Sequence, residues 1–347
     1  VSTLIPALSH TWEPFVLVVG LLLVGHAAAR DGLFEYLGRR CAQWDGSDRS
    51  LLVAVLVAVA TVSALLNLDT AVVFMTPVAL AAARSRSADE DAFLYGAILM
   101  SNAASLLLVG SNLTNLLVFS TRPVTGVIFV AHMLAPWLVS VLVTIVVVGG
   151  WRWSALRAAR HESHVPAPRW RAGPGSVAVV ATLAMMLALR HPALPVLGVG
   201  IVVELLEWAL RRDVDVRDIA RSASLEVVAP LFVLAVLVGW LGRNWAWPGH
   251  LVSHATPLAS SAVAALASVL INNLPAASIF SGAHLAHPYA VLIGLDLGPN
   301  LFVSGAMSTM LWFRIARANG ARPRVARFVA VGVPVAILGL LAATLAS

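Results

Sequence analysis

"LIGLDLGPNLFVSG", residues 292–305, lies at the centre of an apolar stretch that runs from Tyr289 to Phe313. That stretch is long enough to cross a bilayer, yet it carries an acid, a Gly-Pro pair and an asparagine at its middle. In hydrocarbon each open backbone N–H or C=O costs several kcal/mol, so spanning segments are ordinarily continuous helices. Irregular backbone at that depth is tolerated where it lines a cavity. The stretch therefore predicts a broken helix over 289–313 with a site built around its opened backbone.

Composition places the rest of the chain in the same setting. Of 347 residues, 59% are hydrophobic and 12% charged, and the mean hydropathy is +0.87. Soluble domains average about 45–50% apolar and about 25% charged. The chain reads as an all-α polytopic membrane protein. All 23 basic residues are arginine, and they fall mainly in loops between apolar runs, where positive charge marks the cytoplasmic side; nucleic acid is not the expected partner. Cys41 is the single cysteine, which excludes an intrachain disulfide and a multi-thiolate metal site. Arg30 follows the first apolar run instead of preceding it, so that run is expected to be a retained span and not a cleaved signal peptide.

Plain spans are expected near 13–34, 126–150, 175–190, 192–210, 225–242 and 328–346. Residues 50–84 and 250–288 differ: each is too long for one helix and polar at its centre, with "NLDT" and "NNLP" respectively. Arms of ~16 residues rise about 24 Å, short of the ~30 Å core. Two re-entrant hairpins fit better. Arg49 with Arg84 and Arg86 then share a side with the loops around Arg39/Arg40, Arg157/Arg160, Arg211/Arg212 and Arg322/Arg324. Both termini fall on the opposite side.

The sequence also repeats. "LLNLDTAVVF" (65–74) lines up with "LINNLPAASI" (270–279), pairing Asn67 with Asn272. "YGAILMSNAASLLLVGSNLTNLLVF" (95–119) lines up without gaps on residues 289–313. By the crossing count the halves have opposite orientation. This gives a first inverted repeat over 1–150, with hairpin 50–84 and broken helix 92–119. A cytoplasmic linker follows over 151–174. The second repeat covers 175–347, with hairpin 250–288 and broken helix 289–313. Inverted repeats with discontinuous helices at the midplane characterise secondary transporters.

The candidate site is the polar content of those four interruptions. Asp296 is expected to carry a proton or cation, or to cap N–H groups freed by the break. Asp69, at the first hairpin tip, has the same two readings. Proton coupling needs a desolvated carboxylate, because burial disfavours its charged form. Asn67, Thr70, Ser111, Asn112, Thr114, Asn115, Asn272, Asn273, Asn300, Ser304, Ser308 and Thr309 form a neutral set that lines the substrate path or joins helices. Pro275, Gly298 and Pro299 read as structural breaks, each proline removing a donor. No metal site is expected.

These residues carry a resemblance. "DGLFEYLGRR" (31–40), "LDTAVVFMTPVAL" (68–80), "ASLLLVGSNLTNLLV" (104–118), "INNLPA" (271–276) and "GLDLGPNLFVSGAMSTMLWFR" (294–314) are similar in order and spacing to the arsenite/antimonite permeases (ArsB-type) of the ion transporter superfamily. The resemblance implies the ion transporter fold, a scaffold with a transport domain moving like an elevator, and often a homodimer. It also implies a bacterial cytoplasmic (inner) membrane location and permits a cytoplasmic arsenite-stimulated ATPase subunit. Three departures stand out. Two helices that usually precede the segment matching 13–34 have no counterpart here, Asn102 occupies the place of an expected acid, and Leu68 that of an asparagine.

The expected function is export of arsenite and antimonite as neutral trihydroxides in exchange for protons. Amides and hydroxyls offer both donors and acceptors to such a substrate. A sodium/proton antiporter is the rival reading, with sodium as coupling ion. A carboxylate or inorganic anion comes next; helix N-termini favour it and two acids oppose it. No cofactor is expected, since His26 and His132 show no haem-ligand spacing. No hydrolase or nucleotide motif is present, so the chain is not read as an enzyme. Trp151, Trp153, Trp245 and Trp247 read as an interfacial belt, and Glu204 and Glu207 as a helix-end cluster with Arg211 and Arg212.

Overall fold

The computed structural model describes residues 4–157, 172–210, 223, 225–244 and 246–347. Most of the expected linker lies outside them, as do Arg160, Arg211, Arg212 and Trp245. The described elements are all helical. The first repeat holds α1 (Leu4–Arg30), α2 (Leu33–Ala42), α3 (Asp48–Leu65), α4 (Leu68–Ser85), α5 (Glu90–Ala104), α6 (Leu113–Phe119) and α7 (Gly126–Trp151). α8 (Pro174–Ala188) and α9 (Ala193–Leu210) open the second repeat. It continues with α10 (Leu225–Asn244), α11 (Ala246–Ser253), α12 (Pro257–Ile271), α13 (Asn273–Ser281), α14 (Pro288–Leu297), α15 (Met307–Ala318) and α16 (Val325–Leu345). Among the described residues seven helical segments are long and apolar enough to cross a membrane.

Both hairpins form, and their tips are capped alike. Asn67 accepts from the Thr70 amide at 2.7 Å to start α4, and Asn272 accepts from the Leu274 amide at 3.3 Å to start α13. An asparagine oxygen replaces the helical acceptor that a first-turn N–H lacks. The boundaries differ from expectation. The arms of the first hairpin are 18 residues each, while those of the second are 15 and 9, with α11 standing apart. Pro275 does not open the second tip. It occupies the third position of α13, where its missing N–H would lack a partner anyway; the turn is made by Asn272 at φ 74°.

The two broken helices are narrower than the sequence suggests. The first opens between Ala104 and Leu113, where Val109–Ser111 form a short 3-10 turn. In the second, Gly298 and Pro299 are not the unwound point: Gly298–Asn300 continue α14 as a 3-10 turn, and the chain opens only over residues 301–306. There the freed carbonyls are caught by the hairpin tip. Asn272 Nδ2 donates to the Ser304 carbonyl at 3.0 Å, and the Asn273 amide donates to the Gly305 carbonyl at 2.8 Å. Gly298 sits at helical φ −54°. It is small because α12 crosses there, with an added Cβ falling 2.7 Å from Ala265 Cα.

The repeats interlock. α15 packs on α4, and α6 packs on α13, so the far half of each broken helix rests on the other repeat's hairpin; α7 pairs with α16 in the same symmetric sense. Lipid tails are as apolar as leucine, so helices here are held by close packing of small residues and by hydrogen bonds. Gly20 and Gly200 let α1 and α9 approach until backbones touch. Elsewhere the apolar faces point outward, as with Leu134, Leu138, Leu142 and Val146 on α7. His26 bonds Glu204 at 2.7 Å, while His132 bonds the Ile128 carbonyl at 2.8 Å and stacks on Tyr289. Cys41 is buried in α2.

Candidate functional site

Four helices, α4, α6, α13 and α15, begin at one cleft. It is lined by Leu68, Asp69, Asn112, Leu113, Thr114, Leu231, Asn272, Asn273, Leu274, Ala306, Met307 and Ser308. Both hairpin tips and both opened segments contribute. Each helix start presents N–H groups and about half a positive charge, so the cleft is electropositive in its backbone and acidic in one side chain. That side chain is Asp69, which is exposed in the cleft. No arginine or histidine lines it. The free volume is about 50 Å³; roughly 10–15 Å³ of such space holds one water, so a few water-sized groups fit.

Asp296 lies behind the cleft, 1% exposed, in a hydrogen-bonded knot between α14 and the first break. It accepts from Thr114 Oγ1 at 2.6 Å, Asn112 Nδ2 at 2.9 Å and Ser105 Oγ at 3.3 Å. All three donors come from the first repeat. Its counterpart in the repeat alignment, Asn102, donates to Asn300 Oδ1 at 2.7 Å, and Asn300 Nδ2 reaches the Leu99 carbonyl at 3.2 Å. An acid on one side and an amide on the other thus do related work, each tying a broken helix across the pseudo-symmetry axis.

The remaining candidates divide into lining and framework. Asn112, Thr114, Asn272, Asn273 and Ser308 line the cleft along with Asp69. Ser111 donates to the Ala64 carbonyl at 2.7 Å and Ser304 to the Val269 carbonyl at 2.9 Å. Ala64 and Val269 each stand three residues before the tip asparagine, so one lock occurs twice. Asn115 Nδ2 satisfies the Ser105 and Leu108 carbonyls freed by the first break. Thr70 is buried against Gly25 on α1. Asn67 Nδ2, Ser308 Oγ and Thr309 Oγ1 are buried without a partner. Among the described residues, no three His, Cys, Asp or Glu side chains converge.

Sequence reasoning missed Ser105 and the apolar half of the cleft. Ser105 falls inside the predicted break and was legible there as one more hydroxyl. Leu231 belongs to the plain span α10 and carried no signal.

Known proteins agree with this architecture. Residues 2–304 match the family described as "Citrate transporter" (CitMHS). The chain is 22% identical to an "Arsenical pump membrane protein" of Escherichia coli, over 88% of this chain and 78% of that protein. It is 24% identical to the "Uncharacterized transporter Rv2684" of Mycobacterium tuberculosis, over 89% and 79%. In structure it is similar to the YdaH transporter of Alcanivorax borkumensis, with a TM-score of 0.59 at 16% identity, covering 99% of this chain and 86% of that one. The protein is a multi-pass membrane transporter of the bacterial inner membrane, and it belongs to the citrate transporter (CitMHS) family.

Proposed function

We propose that the protein exports arsenite and antimonite as neutral trihydroxides in exchange for protons, the unit that carries the two tips moving like an elevator. The observation that carries this reading is the polar half of the cleft's lining: amides, hydroxyls and one carboxylate, with no cationic side chain, around space for a few water-sized groups. A compact trihydroxide needs donors and acceptors in short reach, and Asn112, Thr114, Asn272, Asn273 and Ser308 supply both. Asp69 is the acid that faces the cargo, so it exchanges the proton. Asp296, sealed behind the cleft, holds α14 against the first break through its bonds from Ser105, Asn112 and Thr114. Neutral substrate alone would equilibrate; proton exchange makes extrusion uphill.

A second reading has its own observation. Four helix N-termini converge on the cleft, which favours a small carboxylate, with a bound proton or sodium offsetting Asp69. The family's citrate transporter description lends this weight. Everted vesicles under an imposed proton gradient, given arsenite, citrate and sodium side by side, separate the readings. Arsenite accumulation supports export of the trihydroxide. Citrate transport without arsenite transport replaces it, and proton movement with sodium alone makes the protein an antiporter.

A further inference from the structure

We infer that the face opposite the arginine-rich loops carries a second binding site, for the oxyanion of a phosphate group, independent of the cleft's cargo. A cavity of about 310 Å³ opens where the start of α1, the segment after α6 and the end of α13 meet. Its polar lining is His10, Thr121, Arg122, Ser281 and His284, with no carboxylate.

Two features set this cavity apart from an ordinary rim. The first is charge placement. Of the 23 arginines only Arg122, Arg190 and Arg243 fall on this side of the predicted topology, where basic residues are under-represented. Arg122 therefore stands against the general bias, and two imidazoles stand beside it. The second is its fixed geometry. Arg122 Nη1 donates to the Leu285 carbonyl at 3.2 Å, and the Thr121 hydroxyl donates to the Ser281 carbonyl at 3.2 Å. These bonds tie opposite walls together and hold the guanidinium at the cavity. A guanidinium has five donors in a planar fork suited to phosphate, and one anchoring bond leaves the others for a ligand. The neighbouring acid on α1, Glu13, is engaged by His191 at 3.0 Å and is not among the lining residues.

Such a phosphate group is either free in solution or part of a lipid headgroup. The test uses the full chain in nanodiscs of phosphatidylcholine, titrated with inorganic phosphate at constant ionic strength while the thermal midpoint is followed. A parallel set of nanodiscs contains phosphatidylglycerol. We expect a saturable rise of the midpoint, needing about tenfold more phosphate (about 1.4 kcal/mol) in both Arg122→Gln and His284→Gln. His284→Gln leaves the Arg122–Leu285 bond intact, so it remains informative if Arg122→Gln fails to fold. A rise produced by phosphatidylglycerol but not by free phosphate, and lost in the same variants, assigns the site to a headgroup. No rise with either probe, or a rise unchanged in both variants, overturns the proposal.

Discussion

The Thr114 hydroxyl donates to the Asp296 carboxylate across 2.6 Å, joining the first turn of α6 in the first repeat to α14 in the second. With Asn112 and Ser105 it encloses the acid in donors from the opposite half. Removing one bond to a carboxylate costs about 1.5–3 kcal/mol in soluble proteins, whereas interhelical bonds in membranes average about 0.6. Thr114→Val should therefore lower stability by about 0.6–3 kcal/mol, read by unfolding in mixed detergent micelles. The loss should shrink when Asp296→Asn is already present, because the two residues share one interaction. Additive losses would show that the bond contributes nothing.

Asp69 and Asp296 should separate in transport assays. Asp69 faces the cleft, so Asp69→Asn should reduce proton-driven accumulation to the level of empty vesicles while substrate counterflow persists. Asp296→Asn should slow both processes together, since it loosens the frame around the substrate. Undiminished accumulation in Asp69→Asn would remove its carrier role.

The fold was largely legible because a bilayer tolerates so few structures. Asn67 and Asn272 stood out as polar points in apolar runs, and capping chemistry gave them a place at helix starts. The exact opening of the second break was not legible. A Gly-Pro pair signals a missing donor, but the chain unwinds where Asn272 and Asn273 capture the Ser304 and Gly305 carbonyls, and those partners lie 32 residues apart in sequence. The different surroundings of the two acids were hidden for a similar reason. Whether a mid-span carboxylate faces a cleft or a ring of donors depends on residues such as Ser105 and Thr114, 191 and 182 positions away.

The arginine-rich face should show an acid-sensitive contribution from Asp89. This residue caps α5 through the Ala92 amide at 3.1 Å and pairs with Arg152 at the end of α7. Burial opposes its ionisation, but the hydrogen bonds from Arg152 and Ala92 outweigh that and hold its carboxyl below the usual range, helped by the charges of Arg152 and Arg327. A depressed folded pKa stabilises above the unfolded value, near 3.9, and the contribution is lost as pH falls through the folded one. The thermal midpoint should fall more steeply in wild type than in Asp89→Asn as pH drops from about 5 to 3, with the curves converging at the acid end. Parallel curves would show that the pair is not coupled to folding.

Gly298→Ala tests the reassigned role of that glycine. Its backbone is already helical, so alanine meets no conformational penalty; the added methyl meets Ser268 and Ala265 on α12 instead. Overpacking of this kind costs about 1–3 kcal/mol. Ser268→Gly in the same chain should recover part of the loss, since Ser268 Oγ is one of the colliding atoms. A neutral Gly298→Ala variant would show that α12 yields freely there.

Cys41 should be inert to thiol chemistry in the folded protein. It is 6% exposed, and burial pushes its thiol up to about 11 despite the opposing charge of Arg40. Thiolate is the species that alkylating reagents and arsenic(III) require, so at neutral pH almost none is present. A maleimide should label Cys41 only after denaturation, and Cys41→Ser should leave arsenite transport at the wild-type rate. Rapid labelling of the native protein, or loss of transport in Cys41→Ser, would mean that a thiol takes part and that arsenic is not handled solely through its hydroxyls.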